Sequence, residues 1–354
     1  MRKNLAAWLL IVCAFFSTVF LCFTNRSVMA KTYDCADITA KAAVLMEQST
    51  GRVLLKKNSE KKLPMASCTK ILTAITVIEN CDVTERIEVD KRAVGIEGSS
   101  IYLRAGEKLT VTELLYGLML QSGNDCAEAL AYHVSGDKES FSNLLNDTAR
   151  KIGAKNSNFV TPLGLHNDNH YTTAYDLALI TCYALKNELF KKIVSTQKIN
   201  ISNDGYDFDR VIINKNKLLK NFEFADGVKT GYTKKAGRCF VGSATKDGMQ
   251  LVAVVLDCGP MFEESQKLLQ YGFNNYRFKT VYQKNKIFCL QREKKYVFYR
   301  FDEGFKYPVK SDGSENGLFN EKLHFNNDKT LKIEITFANK LIFSSQLSII
   351  NDSD

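Results

Sequence analysis

The chain has 354 residues, 45% of them hydrophobic and 25% charged, with a formal net charge of +9. That is globular composition, long enough for one large domain and a smaller one, without internal repeats or low-complexity segments. The mild basic excess suits work beside an anionic polymer or a membrane surface. The lysines are scattered and no recognition motif accompanies them, so nucleic-acid binding is excluded.

Arg2 and Lys3 precede an apolar run from Leu5 to Phe23, which ends near Asn25-Arg26, and Val28-Met29-Ala30 offers a cleavage site. Residues 1–30 read as a secretory signal peptide and the protein as exported. An uncleaved anchor is the alternative, because the run approaches the ~20 residues a spanning helix needs. Leu21 before Cys22 is too bulky for lipoprotein processing. Losing the leader removes Arg2, Lys3 and Arg26 and leaves 45 basic residues against 39 acidic, a net +6.

Ala43-Val44-Leu45-Met46, the turn chemistry of Ser49-Thr50-Gly51 and Val53-Leu54-Leu55 predict strand, turn, strand. Pro64 sets up a helix from Ser67 to Ile78, with Ile71, Leu72, Ile75 and Ile78 at helical spacing. Thr110 with Glu113 is a capping box that opens a second helix. Ser122-Gly123-Asn124 terminates it, and Asp125 with Glu128 predicts the cap of a third, ended by Gly136. Phe141–Ile152 and Thr173–Phe190 are helical by period. Lys198–Ile213 and Arg238–Asp257 read as strands, the latter a hairpin turning at Asp247-Gly248. Glu263–Asn274 is a closing helix. Beyond Tyr276 the chain is β-rich, which places a domain boundary near residues 276–283.

Cys13 and Cys22 fall in the leader, and eight cysteines remain: Cys35, Cys68, Cys81, Cys126, Cys182, Cys239, Cys258 and Cys289. An even number in an exported chain could pair, but most sit in apolar segments at wide spacing and read as free, buried thiols. Cys68 and Cys126 read as packing residues. His133, His166, His170 and His324 are too dispersed for a metal site or a Ser-His-Asp triad, and no Cys/His cluster suggests zinc. No cofactor is implied.

Three short strings carry the chemistry. Ser67 and Lys70, three apart on a predicted helix, share a face. A serine hydroxyl needs a base, and lysine serves only if burial or a second cation lowers its pKa. Lys229 is the natural second cation, and the helix N-terminus adds positive potential at Ser67. Ser122 can relay a proton to a leaving amine, and Asn124 can hold a substrate amide and the Lys70 ammonium. Lys229-Thr230-Gly231 reads as a strand edge that binds a carboxylate, with Gly231 letting a substrate strand approach. Each string alone is an ordinary helix face, turn or edge strand. Jointly, with Ser67 and Ser122 55 residues apart and Ser122 and Lys229 107 apart, they form the motif set of penicillin-binding proteins and class A β-lactamases.

At these residues the chain resembles the serine-type D-alanyl-D-alanine carboxypeptidases, the low-molecular-mass penicillin-binding proteins. Ala43–Lys70, Glu97–Leu103, Thr161–His166 and Lys229–Thr233 all resemble that family, over residues 35–276. The remainder is more weakly similar to its C-terminal β domain. The resemblance implies an α/β (α+β) fold. It comprises a β-lactamase/transpeptidase-like catalytic domain over 31–278, an antiparallel sheet flanked by helices, and a small C-terminal all-β domain over 279–354. It also implies release of the terminal D-alanine from peptidoglycan stem pentapeptides at the cell wall or the outer face of the cytoplasmic membrane. Ser67 would attack, Lys70 would act as base, and Ser122 with Lys70 would pass the proton to the leaving D-alanine. The amides of Ser67 and Tyr232 would form the oxyanion hole, and Lys229, Thr230 and Thr233 would hold the terminal carboxylate. β-Lactams would acylate Ser67 as covalent inhibitors.

The chain departs from that family in places. No arginine follows Leu256-Asp257-Cys258-Gly259-Pro260, where some relatives place one near the carboxylate; Arg238 is a substitute or simply a surface strand arginine. Leu347–Asp354 is not the basic amphipathic helix that anchors many members, which leaves peripheral membrane or cell-wall association open. The rival readings are a D,D-endopeptidase or transpeptidase on the same site, a non-catalytic peptidoglycan-binding domain and a β-lactamase. The last would need an E-x-x-L-N string, which is absent.

Overall fold

The computed structural model describes residues 34–201, 205, 209–292, 295–326 and 330–350. The predicted leader lies outside them. Strands β1 (Ala42–Glu47) and β2 (Val53–Lys57) form the expected hairpin. A 3-10 turn, Ala66–Thr69, leads into helix α1 (Lys70–Asn80). The short strands β3 (Arg86–Glu88) and β4 (Lys108–Thr110) pair ahead of α2 (Val111–Leu120), and the Thr110–Glu113 capping box is present in full. Helices α3 (Asn124–Ser135) and α4 (Lys138–Ile152) end on left-handed Gly136 and Gly153.

The predicted helix over Thr173–Phe190 is two helices, α5 (Ala174–Ala184) and α6 (Glu188–Ser195). Asn187 makes the break, because its side chain accepts the N–H of Phe190 and caps the second helix. A small hairpin, β5 (Lys198–Ile201) and β6 (Arg210–Ile213), precedes the one-turn α7 (Leu218–Asn221). Strands β7 (Ala225–Thr233), β8 (Gly237–Lys246) and β9 (Met249–Leu256) then form an antiparallel meander, followed by α8 (Met261–Asn275). Asp247 and Gly248 both have positive φ at the β8–β9 turn, as an Asp-Gly hairpin requires.

The main sheet is five-stranded and antiparallel, in the order β2-β1-β9-β8-β7. All six residues of β1 are buried. Val44 and Met46 enter the large core with Ile71, Leu72 and Leu177, whereas Leu45 meets α8, where Gly272 has no side chain to obstruct it. Helices thus cover both faces. This places β7 at one edge of the sheet, beside the Ala66–Thr69 turn.

The C-terminal region is all β. Strands β10 (Tyr276–Tyr282) and β13 (Phe305–Lys310) pair with one another. β11 (Lys286–Arg292), β12 (Lys295–Phe301), β14 (Phe319–Asn326), β15 (Thr330–Phe337) and β16 (Lys340–Ile349) form a second sheet, in the order β11-β12-β16-β15-β14. Its own core includes Tyr299, Phe301, Ile333, Ile335 and Leu347.

Arg52 of β2 reaches into this region. Its guanidinium donates to the Pro308 carbonyl, pairs with Glu315 at 2.7 Å and lies over the rings of Tyr276, Tyr307 and Phe337. Both charged side chains are largely buried. Arg52→Ala is expected to cost about 3 kcal/mol, because Glu315 keeps a buried charge without its partner. Urea unfolding of the two proteins measures this.

The eight described cysteines are free thiols. Cys68, Cys126, Cys182, Cys239 and Cys258 are buried, Cys35 and Cys81 are half-buried, and Cys289 is exposed.

Candidate active site

Ser67 lies in the 3-10 turn before α1 rather than in the α-helix itself. Residues i and i+3 eclipse one another in such a turn, so Lys70 still comes under Ser67. Lys70 Nζ donates to Ser67 Oγ at 3.1 Å, Asn124 Oδ1 at 2.7 Å and the Leu163 carbonyl at 2.8 Å. The ammonium has three donors, and each has an acceptor. Lys70 is 0% exposed. The turn itself is held in an uncommon shape, with Ala66 at φ 49°. Gly164 makes room for it, since a Cβ there would stand 1.9 Å from the Ala66 carbonyl oxygen.

The second string follows α2. Ser122 has φ 64°, in the left-handed region, and its side chain lines the cleft. Asn124 is the first residue of α3 and is buried. Its amide oxygen accepts from Lys70 and its amide nitrogen donates to the Glu97 carbonyl. Asn124 therefore ties Lys70 to the Glu97 carbonyl through its two amide atoms. Asp125 does not cap α3 as predicted. Gly123 is the N-cap, and the Asp125 carboxylate instead accepts from Ser100 Oγ and from the N–H groups of Ile101 and Leu103. Glu128, its supposed capping partner, is buried against Lys138.

The third string lies on β7. Strand alternation sends the side-chain positions of 229 and 231 to one face. A Cβ on Gly231 would stand 2.9 Å from the Met65 carbonyl and 3.1 Å from the amide nitrogens of Ser67 and Cys68. Gly231 is thus what lets β7 approach the nucleophile turn. Gly231→Ala is expected to push the two apart and to slow acylation by fluorescent penicillin about ten- to a hundredfold with the fold retained. Lys229 is 1% exposed, and its Nζ donates to the Thr230 carbonyl at 3.0 Å. Thr230, Gly231 and Tyr232 line the cleft, and Tyr232 is 66% exposed. Thr233 is placed otherwise: its hydroxyl accepts the Ala236 N–H and closes the β7–β8 turn.

Ser67, Ser122 and the 230–232 edge bound a cleft of about 770 Å³, together with Ser99, Lys215, Lys217, Arg238 and residues 259–263. Arg238 stands opposite Tyr232 on β8 and donates to the Gly259 carbonyl at 3.2 Å. It is a residue of the cleft wall. Lys215, on the other side, donates to Ser99 Oγ at 3.0 Å.

Burial, and after it the nearby Lys229 charge, hold Lys70 well below the usual lysine value. Burial lowers Lys229 to about 8. The Cys68 and Cys126 thiols are pushed up by burial, which disfavours the reactive thiolate. Among the described residues no group of His, Cys, Asp and Glu could hold a metal ion. The arrangement provides a hydroxyl, a buried amine able to take its proton, and a cationic wall for an anionic substrate.

The sequence profile of the D-alanyl-D-alanine carboxypeptidase family, Peptidase S11, matches residues 28–259. This chain belongs to that family. It is 36% identical over 264 residues to the D-alanyl-D-alanine carboxypeptidase DacF of Bacillus subtilis strain 168, which covers 72% of this chain and 68% of the relative. It is 33% identical over 290 residues to DacC of Escherichia coli K12, with 77% and 71% covered. Penicillin binding protein 5 of Haemophilus influenzae, a solved structure, superimposes with a TM-score of 0.74 at 28% identity, over 89% of this chain and 97% of that one. The protein is accordingly a serine-type D-alanyl-D-alanine carboxypeptidase, a hydrolase of the cell wall, and Peptidase S11 enzymes act on peptidoglycan outside the cytoplasm. No described helix is long and apolar enough to cross a membrane.

Several residues of this carboxypeptidase's site escape a reading of short motifs. Leu163 contributes only a carbonyl, Lys215 lies between asparagines in a loop, and His170 reaches Thr69 from 101 residues away. Leu163 lies in the family-like Thr161–His166 string, which does not show what its carbonyl does, and Lys215 and His170 carry no local pattern, because each is defined by a partner remote in sequence.

Proposed function

We propose that Ser67 is the nucleophile through which the enzyme removes the terminal D-alanine from peptidoglycan stem pentapeptides. The observation that supports this most is Ser67 Oγ at the cleft, 3.1 Å from the ammonium nitrogen of a buried lysine. Neutral Lys70 takes the hydroxyl proton as Oγ attacks the carbonyl carbon between the last two residues. The N–H groups of Ser67 and Tyr232 receive the developing oxyanion. Collapse of this intermediate breaks the peptide bond. Its nitrogen leaves as the amine of D-alanine, taking the proton back from Lys70 by way of Ser122. Water then hydrolyses the ester. β-Lactams acylate the same oxygen.

Carboxylate recognition falls to Thr230 and Arg238, with Lys229 acting through its field from beneath the strand. Arg238 supplies the cation that is absent after Pro260, and a guanidinium suits a carboxylate geometrically. Arg238→Ala is expected to lower kcat/KM for a pentapeptide about tenfold or more, mainly through KM. Steady-state kinetics checks this.

Mass analysis of a pentapeptide muropeptide after incubation tests the reading as a whole. Loss of one alanine supports it, cut cross-links would make the enzyme an endopeptidase, and an unchanged substrate would overturn it. Export by the 1–30 leader is supported by its charged start and apolar run, and N-terminal sequencing of the mature protein checks it. Peripheral association with the anionic wall or membrane surface is supported by the net +6 of the mature chain and tested by elution with salt. The division of the chain near residues 276–283 is supported by the separate apolar cores on either side.

A further inference from the structure

Of the four histidines, His170 alone is buried, at 3% exposure. The N–H of Val160 points at its Nδ1 over 3.1 Å. A backbone N–H can only donate, so Nδ1 carries a lone pair and a neutral ring has its proton on Nε2. Nε2 lies 2.8 Å from Thr69 Oγ1 and therefore donates to it. The Thr69 hydroxyl donates in turn to the Ala66 carbonyl at 2.8 Å. This chain of bonds ends on the residue before Ser67, the one held at positive φ.

Its other end holds the segment that serves Lys70. Val160 leads into Pro162, whose carbonyl accepts from Thr73 of α1, and Leu163, whose carbonyl accepts from Lys70. Phe159 stands edge-on to the imidazole at 5.8 Å and is itself tied to Asn146 of α4. One ring thus bridges the turn that carries the nucleophile and the segment that holds the base.

We propose that His170 is a positioning residue for acyl transfer: as a neutral Nε2–H imidazole it locks the Ala66–Thr69 turn to the Val160–Leu163 segment and so sets the Ser67–Lys70 geometry. The inference rests on the reading of Ser67 and Lys70 as nucleophile and base. Among the described residues the charge felt at the ring is that of Lys70, from α1. Burial first, and Lys70 second, lower His170 to about 4, so the ring stays neutral at working pH. A second ring proton would face the Val160 N–H and remove the acceptor.

The test uses the full-length enzyme and its His170→Ala and His170→Gln variants. Stopped-flow labelling with fluorescent penicillin separates non-covalent binding from acylation. His170→Ala is expected to slow acylation about ten- to a hundredfold while binding stays within about twofold. Glutamine can accept from Val160 and donate to Thr69, so His170→Gln is expected to recover most of the rate. In the wild-type enzyme, nitrogen NMR of the four histidine rings is expected to show one that remains the neutral Nε2–H tautomer from pH 5 to 8. Wild-type acylation in a folded His170→Ala variant would overturn the proposal. So would a glutamine variant as slow as the alanine one, or a His170 ring that titrates near its ordinary value. The NMR result is independent of catalysis, so it stands even if Ser67 proves not to be the nucleophile. If His170→Ala does not fold, a slow His170→Gln variant or a titrating ring still overturns the proposal.

Discussion

Ser67→Ala is expected to abolish both D-alanine release and labelling by fluorescent penicillin, each falling by at least about a thousandfold. The two activities should vanish together because in the proposed mechanism both form an ester on the same oxygen. The fold should survive. Removing Oγ takes one of three acceptors from the Lys70 ammonium and leaves Asn124 and Leu163 in place. Thermal unfolding should therefore change by no more than about 1 kcal/mol. Retained penicillin labelling in the folded variant would refute the nucleophile assignment.

Lys70→Arg should be nearly as damaging. Arginine keeps the positive charge but holds its proton above pH ~12, so it cannot serve as the base. Acylation is expected to fall about a thousandfold while the cleft keeps its charge. The wild-type pH profile follows from the same chemistry. The base must be neutral, so acylation rises with pH as Lys70 releases its proton, earlier than an ordinary lysine because burial and Lys229 disfavour its charge. At higher pH, Lys229 loses its own proton, through about 8, and with it the field that favours an anionic substrate. The expected profile is a bell. Lys229→Gln should move the acidic limb upward, since removing the neighbouring charge raises the Lys70 pKa. Rates of acylation measured across pH decide this, and a flat profile from mildly acid to alkaline pH would contradict it.

Much of this architecture is legible in local residue patterns. The Thr110–Glu113 box, the Asp247-Gly248 turn and the Gly136 stop are short-range devices, and each acts where its residues stand. The failures are also physical. Asp125 has the composition of a cap, but loop residues 100–103 offer its carboxylate three donors, and a buried carboxylate is better satisfied there. Thr233 ends the string expected to meet substrate, and its hydroxyl also accepts the Ala236 N–H at the β7–β8 turn, a bond that no short motif announces. The long period over Thr173–Phe190 conceals a break because periodicity registers apolar faces and not the capping bond of Asn187.

The catalytic strings divide the same way. Residue order along the chain is enough to show which groups could do the chemistry. A serine and a lysine three residues apart share a face in either kind of helix, so Ser67 and Lys70 meet regardless of what surrounds them. Their electrostatic setting comes from packing. Burial and the approach of β7, which Gly231 permits, set the Lys70 pKa. Asn124, Leu163 and His170 converge on the turn from segments tens of residues away. Arg238 joins the cleft only because strand pairing sets it opposite Tyr232. Local patterns encode which residues are neighbours along the chain, whereas desolvation and charge proximity exist only once distant segments have packed.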